Sequence, residues 1–240
     1  MPVLGKVYLI GAGPGAQDLI TLRGARLLEQ ADVVLHDALV TPEMLALCGQ
    51  AVLIDVGKRA GQRSAAQDSI NEQLVECARK YRLVVRLKGG DPMLFGRADE
   101  ELRALEEAGI EVEVVPGITT AVAAAAAARQ PLTKRGVSRS VSFFTSSTSP
   151  EHDDLVAVPN TDTLVQYMGG REAMATASRL LALGRRAATP VIIIENCSRP
   201  DQRILRITLA DLARGLEAAH GPVLVMVGEA LALREHQSPE

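Results

Sequence analysis

Residues 84–97 bring together the side chains of this sequence that are best suited to binding a ligand. A largely apolar run is followed by Lys88, by the adjacent glycines Gly89 and Gly90, and by Asp91, and Arg97 comes shortly afterwards. Adjacent glycines let a ligand approach the backbone because no Cβ atom intervenes, and an acid followed by proline is typical of a tight turn. This turn is therefore a candidate binding loop at the end of a buried strand.

A second candidate is the glycine loop at residues 11–16, which follows a predicted strand. It matches the Gly-x-Gly-x-x-Gly/Ala dinucleotide pattern, and Asp37 ends the next strand where a ribose-binding acid would stand. Pro14, however, removes a backbone N–H from the loop, and the first clear helix start, Thr21, is distant from Gly13. Spacing alone leaves a dinucleotide and another nucleotide-like ligand equally open.

The elements that position these loops alternate between strand and helix. Strands are predicted at 6–10, 31–35, 52–56, 83–87, 112–115, 140–145, 163–167, 191–194, 203–208 and 223–227. Helices are predicted at 21–30, 41–47, 64–80, 99–108, 121–128, 171–183 and 209–218. The break at residues 116–120 favours two α/β domains, 1–117 and 118–240, over one continuous doubly wound sheet. Ligands of α/β folds bind at the carboxyl ends of strands, where both loops and Asp37 lie.

The composition narrows the class of protein. The chain has 240 residues and a net charge of −3, so it has no basic field to attract nucleic acid or a membrane surface. It has no Trp and few other aromatic residues, and its three cysteines are too widely spaced for a disulfide framework or a zinc site. The sequence begins almost directly in a strand, without a leader or a bilayer-spanning apolar run. We therefore expect a soluble, cytoplasmic protein that uses no metal and binds neither nucleic acid nor membrane.

Three segments together resemble the tetrapyrrole methylase family, whose members use S-adenosylmethionine (SAM). These segments are residues 10–24, 88–96 and 115–119, and the likeness extends over about residues 5–233. Further segments, 56–61, 131–135, 167–169, 195–196 and 228–229, resemble the branch of the family that acts on uroporphyrinogen III. The resemblance implies a fold of two α/β domains with the active site in the cleft between them, usually as a homodimer.

The resemblance also implies an activity. It is that of a SAM-dependent C-methyltransferase that methylates uroporphyrinogen III twice to give precorrin-2, for sirohaem, cobalamin or haem d1 synthesis, and releases S-adenosylhomocysteine (SAH). The pyrrole carbon is already a nucleophile, so the protein mainly aligns it with the methyl group and excludes water. By the same resemblance Asp37 is the proton acceptor and Lys58 the proton donor. Without it, Asp37 is more simply a turn-capping acid and Lys58 a solvated loop charge.

The candidate binding residues come from the resemblance as well. It implies that SAM is held mostly through backbone groups, at Pro14, Gly89, Gly90, Asp91, Leu94, Thr119, Thr120, Met168 and Cys197. For the tetrapyrrole carboxylates it points to Arg97 and Arg135, because guanidinium groups bind carboxylates in a forked geometry. Glu100 is expected near the pyrrole nitrogens and Met168 near the substrate, although Met is more often core filler. Arg59 and Arg63 are further candidates, and Asp99 is an extra acid placed to compete for Arg97.

Three alternatives remain at this point. One is a sister methyltransferase acting on a later precorrin, against which the Gly57-Lys58-Arg59 loop argues. Another is an NAD-binding oxidoreductase, which the glycine loop and Asp37 would suit. The third is a non-catalytic relative that only binds SAM or a tetrapyrrole.

Overall fold

The computed structural model describes residues 4–57, 65–146, 157–216 and 219–233. Three residues named above, Lys58, Arg59 and Arg63, lie outside the described residues, as does the first residue of the helix predicted at 64–80. The chain divides into two compact units, Met1–Thr119 and Thr120–Glu240. Each unit has a sheet of five strands with helices packed on it, so the predicted α/β fold class is confirmed.

The first unit has an entirely parallel sheet. Its strands are β1 (Lys6–Gly11), β2 (Val33–His36), β3 (Val52–Asp55), β4 (Leu83–Lys88) and β5 (Val112–Val115), in the order β3-β2-β4-β1-β5. Its helices are α1 (Leu22–Gln30), α2 (Pro42–Leu45), α3 (Ala65–Lys80) and α4 (Ala98–Glu107). Apolar clusters cover both faces of the sheet, which explains why the central strands have continuous apolar sequences.

The second unit has a mixed sheet. Its strands are β6 (Val141–Thr145), β7 (Thr163–Tyr167), β8 (Pro190–Glu195), β9 (Arg203–Thr208) and β10 (Val223–Val227), in the order β6-β7-β10-β8-β9. Strands β6 and β7 are parallel, and the other neighbours are antiparallel. Its helices are α5 (Thr120–Ala127), α6 (Gly169–Ala182) and α7 (Leu209–Arg214). The alanines of α5 pack against β8 and β10, so small side chains let this helix lie close to the sheet.

The order of strands and helices agrees with the sequence-based expectation, whereas several element ends differ by two residues or more, among them the ends of α7 and α2. Helix α7 ends at Arg214 rather than at residue 218, because Gly215 has a φ of 120° that no helix accommodates. Helix α2 ends at Leu45 and tightens into a 3₁₀ turn, Ala46–Cys48. Both differences arise at the C-terminal ends of helices, where local turn geometry overrides helix propensity.

The described residues contain neither a candidate membrane-spanning helix nor a candidate metal-binding cluster. No helix among the described residues is long and apolar enough to cross a bilayer. In that same part of the chain, no three His, Cys, Asp or Glu residues are grouped so that they could hold a metal ion. Cys48, Cys77 and Cys197 are buried free thiols, and burial raises the pKa of Cys48 and Cys197 to about 11. These thiols are therefore packing groups rather than nucleophiles at neutral pH.

Candidate active site

Two of the predicted loops are joined directly at the carboxyl edge of the first sheet. The N–H of Gly13 donates to the carbonyl oxygen of Gly90 at 3.1 Å, and the N–H of Gly90 donates to that of Gly13 at 2.7 Å. The φ values of 76° at Gly13 and 70° at Gly90 lie in the left-handed region that favours glycine. The loop after β1 and the loop after β4 therefore form one rigid surface.

This junction argues against a dinucleotide cradle in the glycine loop. The N–H of Gly13 is already used by Gly90, and Pro14 has no N–H to offer a pyrophosphate. A 3₁₀ turn, Gln17–Leu19, separates the loop from α1, whose first turn is capped by the Thr21 hydroxyl. No helix N-terminus therefore abuts Gly13, and the geometry that binds a pyrophosphate is missing from this loop.

A third loop, after β5, packs against the other two through Gly117. A Cβ atom built on Gly117 would overlap the carbonyl oxygen of Gly90 and would lie 2.7 Å from the Cα of Gly11. The N–H of Gly117 donates to Asp91 Oδ2 at 2.9 Å, and Asp91 Oδ1 accepts from the N–H of Met93 at 2.8 Å. Asp91 thus holds two loops together, which its prediction as a ligand-contacting residue did not anticipate.

Gly90 is the open point of this surface. Apart from its two neighbours in the chain, no atom of the described residues lies within 4 Å of the position that a Cβ atom would take on Gly90. The backbone here can therefore be approached closely by a ligand, while its conformation is fixed by the bridge to Gly13. Leu94 and Thr119, two other predicted contacts, are half-buried in the adjoining loops of the same unit.

Asp37 lies directly after β2 and ties that strand end to the binding loop. Its Oδ2 atom accepts from the N–H of Gly89 at 3.3 Å, and its Oδ1 atom accepts from the N–H of Leu39 at 3.1 Å. The side chain is half-buried. Each carboxylate oxygen has a further lone pair, so this oriented acid can still accept a proton.

Arg97 stands in a strained turn at the start of α4. Its φ is 55°, and its Nε and Nη2 atoms donate to the two carboxylate oxygens of Glu100, both at 2.6 Å. These bonds raise the pKa of Arg97 above its ordinary value. The expectation that Asp99 competes for Arg97 is wrong, because Asp99 pairs with Arg103 at 2.7 Å on the exposed side of the helix.

Beneath these loops the structure reveals a buried charged group that the sequence analysis missed. Arg86 and Lys88 point from β4 towards α4, where Glu101 accepts from Arg86 Nε at 3.0 Å and from Lys88 Nζ at 2.9 Å. Glu101 is completely buried. The available signal was the alternation within β4, which puts both cations on one face of a strand whose neighbours are apolar.

In the second unit, Met168 and Cys197 lie in the turns after β7 and β8, the two strands that flank β10 in the sheet. Met168 is exposed, has a φ of 55° and immediately precedes α6, so the alternative role of Met168 as core filler is wrong. Cys197 follows β8, and its side chain is buried among Ile192, Ile194 and Met226. Only the backbone of Cys197 is therefore left to meet a ligand.

The turn at Cys197 is braced by its neighbours. Glu195 is buried, and its Oε1 atom accepts from the N–H groups of His220 and Gly221 at 2.6 and 2.9 Å. Asn196, with a φ of 50°, donates to Asp201 at 2.7 Å. The pair Glu195-Asn196 thus fixes two loops of the second unit by hydrogen bonds. This structural role explains why a carboxylate and an amide stand at these two positions.

The remaining predicted residues of the second unit lie at exposed or half-buried positions. Thr120 begins α5, and the N–H of the next residue, Ala121, donates to the hydroxyl of Tyr167 at 3.1 Å. Arg135 is exposed in a turn closed by pairing between Lys134 and Ser138.

Taken together, the parallel sheet, the three interlocked loops and the oriented Asp37 define an α/β protein with a candidate ligand site, built largely from backbone, in its first unit. The sequence matches the model of the family Tetrapyrrole (Corrin/Porphyrin) Methylases over residues 6–213, and the chain belongs to this family. Among solved structures it is similar to a uroporphyrin-III C-methyl transferase from Thermus thermophilus complexed with S-adenyl homocysteine, with a TM-score of 0.83 and 38% identity. That likeness covers 95% of this chain and 93% of that one.

Other relatives show how far the likeness extends. A structure of a cobalt precorrin-4 methyltransferase has a TM-score of 0.81 and 30% identity, over 95% of this chain and 96% of that one. Siroheme synthase 2 of Yersinia pestis (strain Pestoides F) is 47% identical over 98% of this chain, and siroheme synthase of Pseudomonas fluorescens (strain Pf0-1) is equally similar. These two relatives are longer, and the chain spans about half of their length, 50% and 52%.

Proposed function

We propose that the chain is a SAM-dependent C-methyltransferase that adds two methyl groups to uroporphyrinogen III and so forms precorrin-2. The observation that carries the proposal is the likeness to the Thermus thermophilus protein complexed with S-adenyl homocysteine, which extends over nearly all of both chains. The bridged glycines support it, because they remove the N–H group that a competing dinucleotide would need.

The residues of the chain fit SAM through backbone rather than charge. SAM carries no phosphate, so a cradle of unpaired N–H groups is unnecessary, and a close approach to bare backbone such as Gly90 is sufficient. In the first unit the proposed contacts are Pro14, Gly89, Gly90, Asp91, Leu94 and Thr119, and in the second unit Thr120, Met168 and the backbone of Cys197. When bound, SAM supplies an electrophilic methyl group on its sulfonium.

In the proposed reaction, the residues of the chain must align the substrate and remove one proton from it. Forming the new carbon–carbon bond at the pyrrole carbon would break the sulfonium S–CH3 bond and leave SAH, and a proton would have to leave the macrocycle. We assign this proton to the carboxylate of Asp37, which is held in one orientation by the N–H groups of Gly89 and Leu39. Lys58, the proposed proton donor, lies outside the described residues and remains a prediction from the family resemblance.

Arg97 is the proposed anchor for a tetrapyrrole carboxylate. Its present partner, Glu100, forms a pair in which both side chains are about two-fifths exposed. Such exposed pairs contribute only about 0–1 kcal/mol, so a substrate carboxylate can displace or share this one at little cost. Arg135 and Glu100 remain predicted substrate contacts.

Replacing Arg97 tests this assignment. We expect Arg97→Ala to raise the KM for the tetrapyrrole by at least about tenfold, because a charged hydrogen bond contributes about 1.5–3 kcal/mol. SAH affinity and kcat should remain close to wild type. Steady-state kinetics with Arg103→Ala as control, which removes an exposed arginine of the same helix, gives the comparison. An effect on SAH affinity alone would contradict the assignment.

A substrate panel separates the proposal from its main competitor, a sister methyltransferase, which the likeness to the cobalt precorrin-4 enzyme favours. Initial rates are measured with SAM and either uroporphyrinogen III or a later precorrin. We expect uroporphyrinogen III to be the better substrate. Preference for the later precorrin would replace the proposed substrate, and binding of NADH without binding of SAH would replace the whole proposal.

We also propose that the chain acts as a homodimer, as the family resemblance implies. Strand β9 supports this, because it is an edge strand with exposed apolar residues, Ile204 and Leu205. Analytical ultracentrifugation would show a dimer, and a monomer at assay concentrations would contradict the proposal. A cytoplasmic location remains a prediction from the sequence.

A further inference from the structure

The buried charges beneath the loops are not balanced among themselves. Arg86, Lys88 and Glu101 carry two positive charges and one negative charge, and none of the three is more than slightly exposed. Glu101 divides its two oxygens between the cations, with Oε1 on Arg86 and Oε2 on Lys88. One carboxylate therefore restrains two cations in the interior of the first unit.

Arg86 and Lys88 differ in what else they bind. The guanidinium of Arg86 also donates through Nη1 to the carbonyl oxygens of Leu87 at 3.1 Å and Leu35 at 3.5 Å, so the backbone satisfies part of its donor capacity. Lys88 depends on Glu101 for its ion pair, and its side chain is covered by the turn at Gly96, where an added Cβ atom would lie 3.1 Å from Lys88 Cε. Lys88 is thus the cation most affected by any change at Glu101.

The sheet register places a second carboxylate next to Lys88. Strands β2 and β4 pair Leu35 with Arg86 and His36 with Leu87. Continuing by one residue brings Asp37 beside Lys88, on the face of the sheet to which Arg86 also points. Burial and the neighbouring Arg86 lower the pKa of Lys88, whereas the carboxylates of Glu101 and Asp37 raise it, so the ammonium senses both acids.

We propose that Glu101 is a positioning residue that holds Lys88 away from Asp37 and thereby keeps the Asp37 carboxylate available for proton transfer. The proposal rests on the proposed function of Asp37. Its physical basis is that a buried cation without a partner is strongly unfavourable, so Lys88 must pair with whichever carboxylate it can reach. Glu101 satisfies Lys88 in the interior, while the hydrogen bonds of Asp37 within the described residues come from the backbone N–H groups of Gly89 and Leu39.

Charge-neutralising variants test this inference. Glu101→Gln keeps the size of the side chain and removes its charge, which should drive Lys88 towards Asp37. We expect kcat to fall by at least about tenfold, because part of the rate contribution of the general base Asp37 would be lost. SAH affinity should stay near wild type. Adding Lys88→Met to this variant should restore kcat to within about twofold of wild type, the range of a neutral substitution.

The controls decide between positioning and simple structural damage. Asp99→Asn removes an exposed acid from the same helix and should behave as wild type. If Glu101→Gln does not fold, the Lys88→Met variant alone tests the inference. This variant has no lysine to hold away from Asp37, so its turnover should be nearly normal. A double variant as inactive as Glu101→Gln, a fully active Glu101→Gln, or an inactive Lys88→Met would each overturn the inference.

A crystal structure of Glu101→Gln gives a readout that does not depend on turnover. We expect Lys88 Nζ within about 4 Å of the Asp37 carboxylate, the limit of an ion pair. A lysine that stays beside residue 101 would overturn the inference even if the wild-type protein methylates its substrate as proposed. A wild-type protein that transfers no methyl group would instead overturn the proposed function, while the position of Lys88 would still decide the structural part.

Discussion

Asp37→Ala should lower kcat by about 10²–10⁴-fold while the affinity for SAH remains near wild type, because general-base contributions have this size. The carboxylate is oriented by the N–H groups of Gly89 and Leu39, and it has capacity left to accept a proton. Turnover is measured with SAM and reduced uroporphyrinogen III, and SAH affinity by calorimetry. Asp37→Asn should give a similar loss of turnover, since it removes the charge and keeps the side-chain size.

The same two strands provide a matched control for the Asp37 variants. Asp32 lies at the amino end of β2 and accepts from the N–H groups of Arg82 and Leu83 at 3.0 and 2.8 Å, so it ties β2 to β4 as Asp37 does at the other end. Asp32→Asn should leave turnover unchanged. Equal losses in both variants would show that Asp37 is only a structural cap, and unchanged turnover in Asp37→Ala would remove it from the mechanism.

The second large effect is expected from Gly117→Ala. The added methyl group would overlap the carbonyl oxygen of Gly90 and would crowd Gly11, and both neighbours are backbone that cannot rotate away. The loops must separate, at a stability cost of about 1–3 kcal/mol for overpacking. Because Gly90 is a proposed contact of SAM, SAH affinity should fall by at least about tenfold, which corresponds to 1.4 kcal/mol. Calorimetric titration with SAH measures the change.

Gly109→Ala separates loss of the binding surface from general loss of stability. Gly109 has a φ of 68°, so an alanine there is strained by about 1–2 kcal/mol, but beyond its chain neighbours no atom in the described ranges lies within 4 Å of the added Cβ. This variant should be destabilised and should bind SAH normally. If Gly117→Ala also binds SAH normally, the three-loop junction is not part of the cofactor site.

The sequence predicts the order of strands and helices well, because the periodic and capping signals in this chain are strong. Thr21 and Thr41 cap the helices that their positions indicate, with side-chain acceptance from Gly24 and Met44. The central strands of the parallel sheet are short, largely apolar runs that are buried on both faces, as expected for strands of a parallel sheet covered by helices. Helix caps and apolar strands of this kind can be recognised from neighbouring residues in the sequence, without knowledge of long-range contacts.

What the sequence cannot predict is long-range pairing. The bridge between Gly13 and Gly90 joins residues from two different loops, and the bond from Gly117 to Asp91 adds a third. The burial of Glu101 between Arg86 and Lys88 likewise depends on how α4 packs on β4. Motif spacing identifies these residues one loop at a time, and only the folded sheet reveals which of them share a partner.

The most direct test of the account is to count the methyl groups that the protein transfers. Purified protein is incubated anaerobically with SAM and freshly reduced uroporphyrinogen III, and the product is analysed by mass spectrometry with an Asp37→Ala reaction in parallel. We predict a product that carries two added methyl groups, which the variant forms far more slowly. Demonstrated SAH binding with no methyl group added to uroporphyrinogen III would contradict it.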